Sequence, residues 1–247
     1  MTHRRGPAGA GVVGSAVRGP APHSDDTEAI LAAYRAGYFP MARQDARGRP
    51  APGARGIDFY TCDPRAVFPL EPGALRWSRS LRAAVRRGRF EITSDAAFAE
   101  VIGACASCRA RADGDWINDW IIDRYTRLHE AGRAHSVEAW LAGPGGRRLV
   151  GGLYGVSIGG AFFGESMFST PERGGTDASK VCLVHLVEHL RRRGFVLLDS
   201  QYANPHVLSL GAVEIPRADY LRRLAEAVTL ERDWAWHGPW AGPPPPA

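Results

Sequence analysis

The apolar run Phe195-Val196-Leu197-Leu198 constrains this chain more than any other segment. It follows a helix stop, Arg191-Arg192-Arg193-Gly194, with cations and a glycine where a helix end favours them. Four consecutive apolar residues without polar alternation read as a strand buried on both faces. The chain then changes character to Asp199-Ser200-Gln201-Tyr202-Ala203-Asn204-Pro205-His206. A polar cluster just past the C-terminal end of a buried strand sits where open α/β sheets place ligands. The plainer reading is that these groups cap the next turn. Asp199 is harder to treat that way, because a carboxylate after four apolar residues must be hydrogen-bonded or face a cleft.

The pattern upstream supplies the rest of a sheet. Phe90 to Thr93 reads as a strand, and Ser94 or Asp95 can cap a helix whose apolar face is Phe98, Val101, Ile102 and Cys105. A second helix carries Ile117, Ile121, Tyr125 and Leu128, opens with Trp116 and Trp120, and ends at Gly132. Strand-like runs follow at His135 to Leu141, Leu149 to Val156 and Gly160 to Phe168, the first two joined by the turn Gly143-Pro144-Gly145-Gly146. A third helix, capped near Thr176 or Asp177, buries Val181, Val184, Val187 and Leu190. A short helix from Glu28 to Ala36 precedes this body and one from Ala218 to Ala227 closes it. The order implies a mixed α/β domain around a central sheet.

In the run Ala161 to Phe168, Glu165 lies between apolar neighbours, either as a salt-bridged edge carboxylate or as a site residue. Ser166 does not head a nucleophile elbow, since no glycine stands two residues after it. Cys105 and Cys108 form a CxxC on a predicted helix without a second pair, so they read as core or surface cysteines and no metal site is expected. His135 and His206 stand out among the histidines, although a lone histidine is usually structural. The loop Arg173-Gly174-Gly175-Thr176-Asp177-Ala178 fails the pyrophosphate pattern of acetyl-CoA-dependent acyltransferases, because Thr176 replaces its first glycine. Four scattered cysteines are too few for a disulfide framework, and no apolar run approaches the roughly 20 residues that span a bilayer. The chain reads as cytoplasmic. A net charge of +5, nearly all from arginine, fits a polyanionic partner without requiring one.

Several segments then occur in a telling order: Ala33-Tyr34-Arg35-Ala36-Gly37-Tyr38-Phe39-Pro40, Asp63-Pro64-Arg65-Ala66-Val67, Trp116-Ile117, Leu128-His129-Glu130-Ala131-Gly132 and Ala134-His135-Ser136-Val137-Glu138. After them come Leu149 to Val156, Gly164-Glu165-Ser166-Met167-Phe168-Ser169, Ala178-Ser179-Lys180 and Ser209-Leu210-Gly211-Ala212. Over residues 27 to 225 the chain resembles the bacterial leucyl/phenylalanyl-tRNA–protein transferases. The resemblance implies an N-acetyltransferase-like mixed sheet flanked by helices, with a small N-terminal domain, working without coenzyme A or another cofactor. The expected division is a disordered tail (1–24), a small domain (25–78), a catalytic domain (79–230) and a Trp/Pro-rich tail (231–247) in which Trp234, Trp236 and Trp240 can pack back.

The resemblance further implies a monomer that moves Leu or Phe, less well Met, from aminoacyl-tRNA to proteins beginning with Lys or Arg, marking them for N-degron degradation. By position it implies catalytic Asp199 and Gln201 with active-site Glu165. It places the aminoacyl side chain among Leu153, Phe162, Met167, Leu183 and Leu198, and the terminal adenosine near Trp116. Met41, Tyr60 and His206 complete the expected substrate contacts. Met41 stands where the family commonly has tryptophan, and Phe59-Tyr60-Thr61-Cys62 replaces Trp-Trp-Ser-Pro. On this reading Asp199 orients Gln201 and attracts the incoming ammonium, Gln201 holds the amine, and Glu165 favours a cationic N-terminal residue. Two other classes share the sequence features: an acetyl-CoA-dependent N-acetyltransferase and a non-catalytic binder of charged tRNA.

Overall fold

A computed structural model describes residues 17–18, 27–42, 57–75, 77–110, 117–236 and 238. Their strands are β1 (Val17–Arg18), β2 (Phe39–Ala42), β3 (Ile57–Thr61), β4 (Arg65–Phe68), β5 (Glu91–Ser94), β6 (Ala134–Gly143), β7 (Gly146–Ile158), β8 (Ala161–Ser169), β9 (Leu197–Asp199) and β10 (Val213–Ile215). The helices are α1 (Thr27–Arg35), α2 (Arg79–Arg86), α3 (Phe98–Ala110), α4 (Asp119–Glu130), α5 (Ala178–Arg192), α6 (Pro205–Ser209) and α7 (Arg217–Ala227). A large sheet runs β10-β4-β9-β8-β7-β6-β5 and a small one runs β1-β3-β2. Within the large sheet β8 and β9 pair in parallel and every other neighbour is antiparallel. The mixed α/β architecture thus matches the reading of the sequence.

Each face of the large sheet has its own core. On one face Tyr34 of α1, Val101 and Ile102 of α3, Ile121 and Tyr125 of α4, and Tyr220 of α7 close over Tyr154, Val156 and Phe163. On the other, Val181, Val184, Val187 and Leu190 of α5, joined by Leu81 of α2, cover Val137, Leu153, Phe162 and Leu198. Leu197 and Leu198 lie buried between helices, but β9 begins only at Leu197 and Val196 is 53% exposed, so the four-residue run is a buried strand only in its second half.

Several local expectations shift. β4 belongs to the large sheet, between β10 and β9, although its residues fall in the segment 25–78 assigned to a small domain. Backbone pairing across the chain decides this, and a four-residue strand carries no such information alone. Val17 and Arg18, placed in a disordered tail, pair with Thr61 and Tyr60. The second helix begins at Asp119 with Asn118 as its cap, so Ile117 lies before it, and Trp116 falls outside the described residues. Asp95 adopts φ 56° and gives its carboxylate to His135 and to the Ser136 N–H rather than to α3. Asp177 precedes α5 without capping it and pairs with Lys180. Of the C-terminal tryptophans, Trp234 is buried, stacked on His135 and Phe162 with centroids at 4.3 and 5.1 Å. Trp240 lies outside the described residues.

Gly155 permits the close approach of β7 to β8: a Cβ there would stand 2.3 Å from the Phe163 carbonyl oxygen and 2.4 Å from the Phe162 ring. Neither neighbour can yield without moving the strand. Gly103 on α3, by contrast, faces open space. Gly155→Ala is therefore expected to lower stability by about 1–3 kcal/mol through overpacking, whereas Gly103→Ala raises it by up to about 1 kcal/mol; denaturant unfolding of the two variants checks both signs.

Candidate active site

The site forms where β8 and β9 part. Their parallel pairing covers Ala161↔Leu197, Phe162↔Leu198 and Phe163↔Asp199. There β9 ends, while β8 runs on through Gly164 and Glu165. Across β7 and β8 the register passes from Tyr154↔Ser166 directly to Gly155↔Gly164, leaving Glu165 as the extra residue of a β-bulge. Bulges re-aim side chains, and this one turns Glu165 toward Tyr34 and Tyr125, the α1 and α4 side of the sheet.

Asp199 is fully buried and its oxygens are occupied. Arg65, equally buried on β4, grips it in a fork, Nε to Oδ1 at 2.9 Å and Nη2 to Oδ2 at 2.6 Å. The Tyr220 hydroxyl donates to Oδ2 at 3.0 Å, and the backbone N–H of Gln201 donates to Oδ1 at 3.0 Å. Burial alone would weaken the Arg65 guanidinium as a cation, and the charge of Asp199 more than reverses that. Asp199 thus orients Gln201 through the backbone while its carboxylate is paired with Arg65.

Gln201 takes φ 59°, a left-handed turn that a non-glycine residue holds only when its surroundings enforce it. The Asp199 acceptor is one such constraint. The Gln201 carbonyl is another, accepting from Ala66 N at 2.9 Å and from the Cys62 thiol at 3.3 Å. So held, Gln201 extends Nε2 to Glu165 Oε1 at 3.2 Å. Glu165 also meets the Tyr34 hydroxyl at 2.7 Å and the Tyr125 hydroxyl at 3.3 Å, and these two hydroxyls, with one proton each, share a third contact with each other. Among the described residues no cation contacts Glu165. Burial, assisted by the charge on Asp199, pushes its carboxyl up to about 8 against the pull of both tyrosine hydrogen bonds. Burial likewise raises Tyr34 and Tyr125 well above ordinary phenols.

Glu165, Asp199 and Gln201 line a cavity of about 890 Å³, counting its open mouth. Leu153, Met167, Leu183, Leu186, Leu198 and Phe68 form an apolar wall of it, from the α5 side. Met41, Tyr202 and His206 also line it. Two expected contacts are not among the lining residues. Phe162 is buried beneath Trp234, and Tyr60 is buried in β3 beside Phe39. Trp116 lies outside the described residues. His135 packs under Trp234 away from the cavity. Sequence reasoning passed over Arg65, Tyr34, Tyr125 and Tyr220, which looked like a polar residue in a motif and three ordinary helix-face aromatics.

Two predictions follow from these contacts. Arg65→Met leaves Asp199 buried without its counter-charge, which is expected to cost about 3–5 kcal/mol in denaturant unfolding; Arg65→Met with Asp199→Leu recovers part of that loss. For Glu165, the unfolded carboxyl releases its proton near 4.5 and the folded one near 8. The native state therefore loses stability as pH rises through that window and does not regain it above. Glu165→Gln carries no such penalty. Its unfolding midpoint is expected to rise above that of the unmutated protein across this window, by about 2–4 °C for each kcal/mol, and parallel midpoints in a pH series would contradict a neutral Glu165.

The model of the family described as leucyl/phenylalanyl-tRNA protein transferase matches residues 69–225. A leucyl/phenylalanyl-tRNA–protein transferase of Rubrobacter xylanophilus is 50% identical over 208 residues, 84% of this chain and 97% of that protein. One from Aromatoleum aromaticum is 48% identical over 213 residues, 86% of this chain and 79% of that protein. A crystal structure of FemX superposes with a TM-score of 0.48 and 11% identity, covering 81% of this chain and 70% of that one, too loosely to support any inference. Sequence identity of this extent over most of each relative places the chain in the leucyl/phenylalanyl-tRNA–protein transferase family, a family of transferase enzymes.

Proposed function

We propose that this protein moves Leu or Phe, and less well Met, from aminoacyl-tRNA in the cytoplasm to the amine of an N-terminal Lys or Arg, tagging the acceptor for degradation. The observation that carries this reading is the Glu165–Gln201 pair standing beside an apolar wall in one cavity. The donor's side chain fits against Leu153, Met167, Leu183 and Leu198, which sets its ester carbonyl near the polar pair. Such a wall separates side chains by only about 1–3 kcal/mol per methylene, so Met leaks in.

The chemistry needs no further energy, because an ester becomes an amide. The amine nitrogen bonds to the carbonyl carbon, the ester C–O bond breaks, and the ribose oxygen leaves with the proton that the amine gives up. Gln201 positions the amine, since an amide is too weak a base to take its proton. Glu165 is better matched: its carboxyl, raised to about 8, lies close to the roughly 7.7–8.0 of an α-ammonium. A small gap between donor and acceptor favours transfer in both directions, so Glu165 in its ionised form takes the proton and passes it on toward the leaving oxygen. Once ionised, Glu165 also favours a cationic acceptor. Fixed geometry supplies the remaining acceleration.

A pyrophosphate-bearing cofactor is disfavoured at the usual place. Gly175 is packed so tightly that a Cβ would lie 2.2 Å from the Val150 carbonyl oxygen, and Asp177 sets a carboxylate at the start of α5.

The test is transfer of labelled Leu from tRNA to a peptide beginning with Arg. Gln201→Ala is expected to lower kcat/KM by roughly 100-fold, in line with loss of a positioning group or a general acid–base contribution. Absence of transfer by the unmutated protein would overturn the function, and full activity of both Gln201→Ala and Glu165→Gln would overturn the site.

A further inference from the structure

The donor's nucleoside must leave the cavity on the side away from the apolar wall, because the ribose is bonded directly to the ester oxygen. On that side the rim comes from two segments. Phe39, Pro40 and Met41 belong to β2, Tyr202 and Asn204 belong to the turn between β9 and α6, and His206 lies in the first turn of α6. Met41 and Tyr202 both pack against the core on the α1 and α4 face, opposite the core that supplies the apolar wall.

A base at this rim needs an aromatic face. Among the described phenylalanine and tyrosine side chains lining the cavity, Phe39, Phe68 and Tyr154 are almost wholly buried, at 3%, 6% and 0% exposure, and the exposed imidazole of His206 offers a smaller face than a phenol ring. Phe39 also carries the Arg65 guanidinium 4.9 Å above its ring. Phe68 belongs to the apolar wall. Tyr202 is half-buried, directly follows the left-handed Gln201, and rests against Phe39 with centroids 6.4 Å apart at 38°. The turn beyond it is held by Asn204, whose side-chain oxygen accepts from Val207 N at 3.0 Å.

We infer that Tyr202 is the stacking platform for the terminal adenine of the charged tRNA, with Met41 lining the same cavity. This rests on the aminoacyl-transfer reading and names the residue that binds the base in this chain. A stack of this kind tolerates loss of the hydroxyl but not of the ring. Because Tyr202 adjoins Gln201 in sequence, stacking also aligns the ribose ester with the amide that positions the amine.

The experiment compares three donors, leucyl-tRNA, leucyl-adenosine and a leucyl ester of ribose lacking the base, with the unmutated protein and with Tyr202→Ala, Tyr202→Phe and Met41→Trp. Tyr202→Ala is expected to raise KM for the two adenine-bearing donors roughly 10- to 100-fold while kcat holds within about twofold. With the base-less donor it should match the unmutated protein. Tyr202→Phe should retain nearly full activity, and Met41→Trp should lower KM for the adenine-bearing donors. An equal loss on all three donors would assign Tyr202 a merely structural role, and an unchanged KM for leucyl-adenosine would remove it from the base site; either overturns the inference. Transfer by the unmutated protein from leucyl-tRNA in the same assay separates these failures from failure of the functional reading, since its absence defeats both.

Discussion

The fork between Arg65 and Asp199 is the interaction on which the remainder of the site depends. Two fully buried charges are expensive to desolvate, and such a pair is tolerated only when its geometry is good and its remaining donors and acceptors are used. Here they are. Beyond Asp199, the guanidinium donates to the Gly37 carbonyl at 3.2 Å and to the Tyr220 hydroxyl at 3.2 Å, and it lies between the rings of Phe39 and Tyr220. One side chain thus joins the end of α1, β2, β4, β9 and α7. Lysine could not replace it, because a point charge lacks both the planar fork and the extra donors. With Asp199 fixed, its Oδ1 holds the Gln201 N–H, and the strained turn that presents the Gln201 amide becomes the low-energy arrangement.

The cavity is a consequence of sheet geometry. Parallel strands that separate after a short pairing leave backbone groups and space between them, and helices on both faces prevent the gap from closing. The two hydrophobic cores therefore meet in one opening, which accepts an apolar side chain from one side and polar partners from the other. The bulge at Glu165 adds one residue to β8 and so changes which side chains share a face. Phe162 and Met167 are five apart, which strict alternation would put on opposite faces, yet both pack with the α5-side core. The extra residue also carries the carboxylate to the tyrosines.

Much of this was legible in the sequence. The long strands, α5 and the apolar pair before Asp199 are strong periodic or continuous patterns, and the ordered motifs single out Glu165, Asp199 and Gln201, which hydrogen bonds link in the fold. The misses share a cause. Arg65 sits in a four-residue strand whose sheet partners, Asp199 and Val213 to Ile215, lie far along the chain. Nothing local distinguishes a buried arginine from a solvated one. Tyr34 and Tyr125 occupy apolar helix faces, where packing alone would account for them; only the assembled core brings their hydroxyls to Glu165. Phe162 was set in the cavity by position along a motif, whereas Trp234, some seventy residues later, covers it.

Two carboxylates in one site can be driven to different tasks by their surroundings alone. Asp199 has a full counter-charge in Arg65 and accepts from Tyr220 and the Gln201 N–H as well. Glu165 has hydroxyl and amide donors but no contacting cation among the described residues, and Asp199 itself adds repulsion. Its carboxyl is consequently held near the value of the amine it would serve. On the proposed reading the fork leaves Asp199 to fix the turn at Gln201 and Glu165 to carry the proton. A cation placed beside Glu165 instead would lower its affinity for that proton and end its usefulness as a relay.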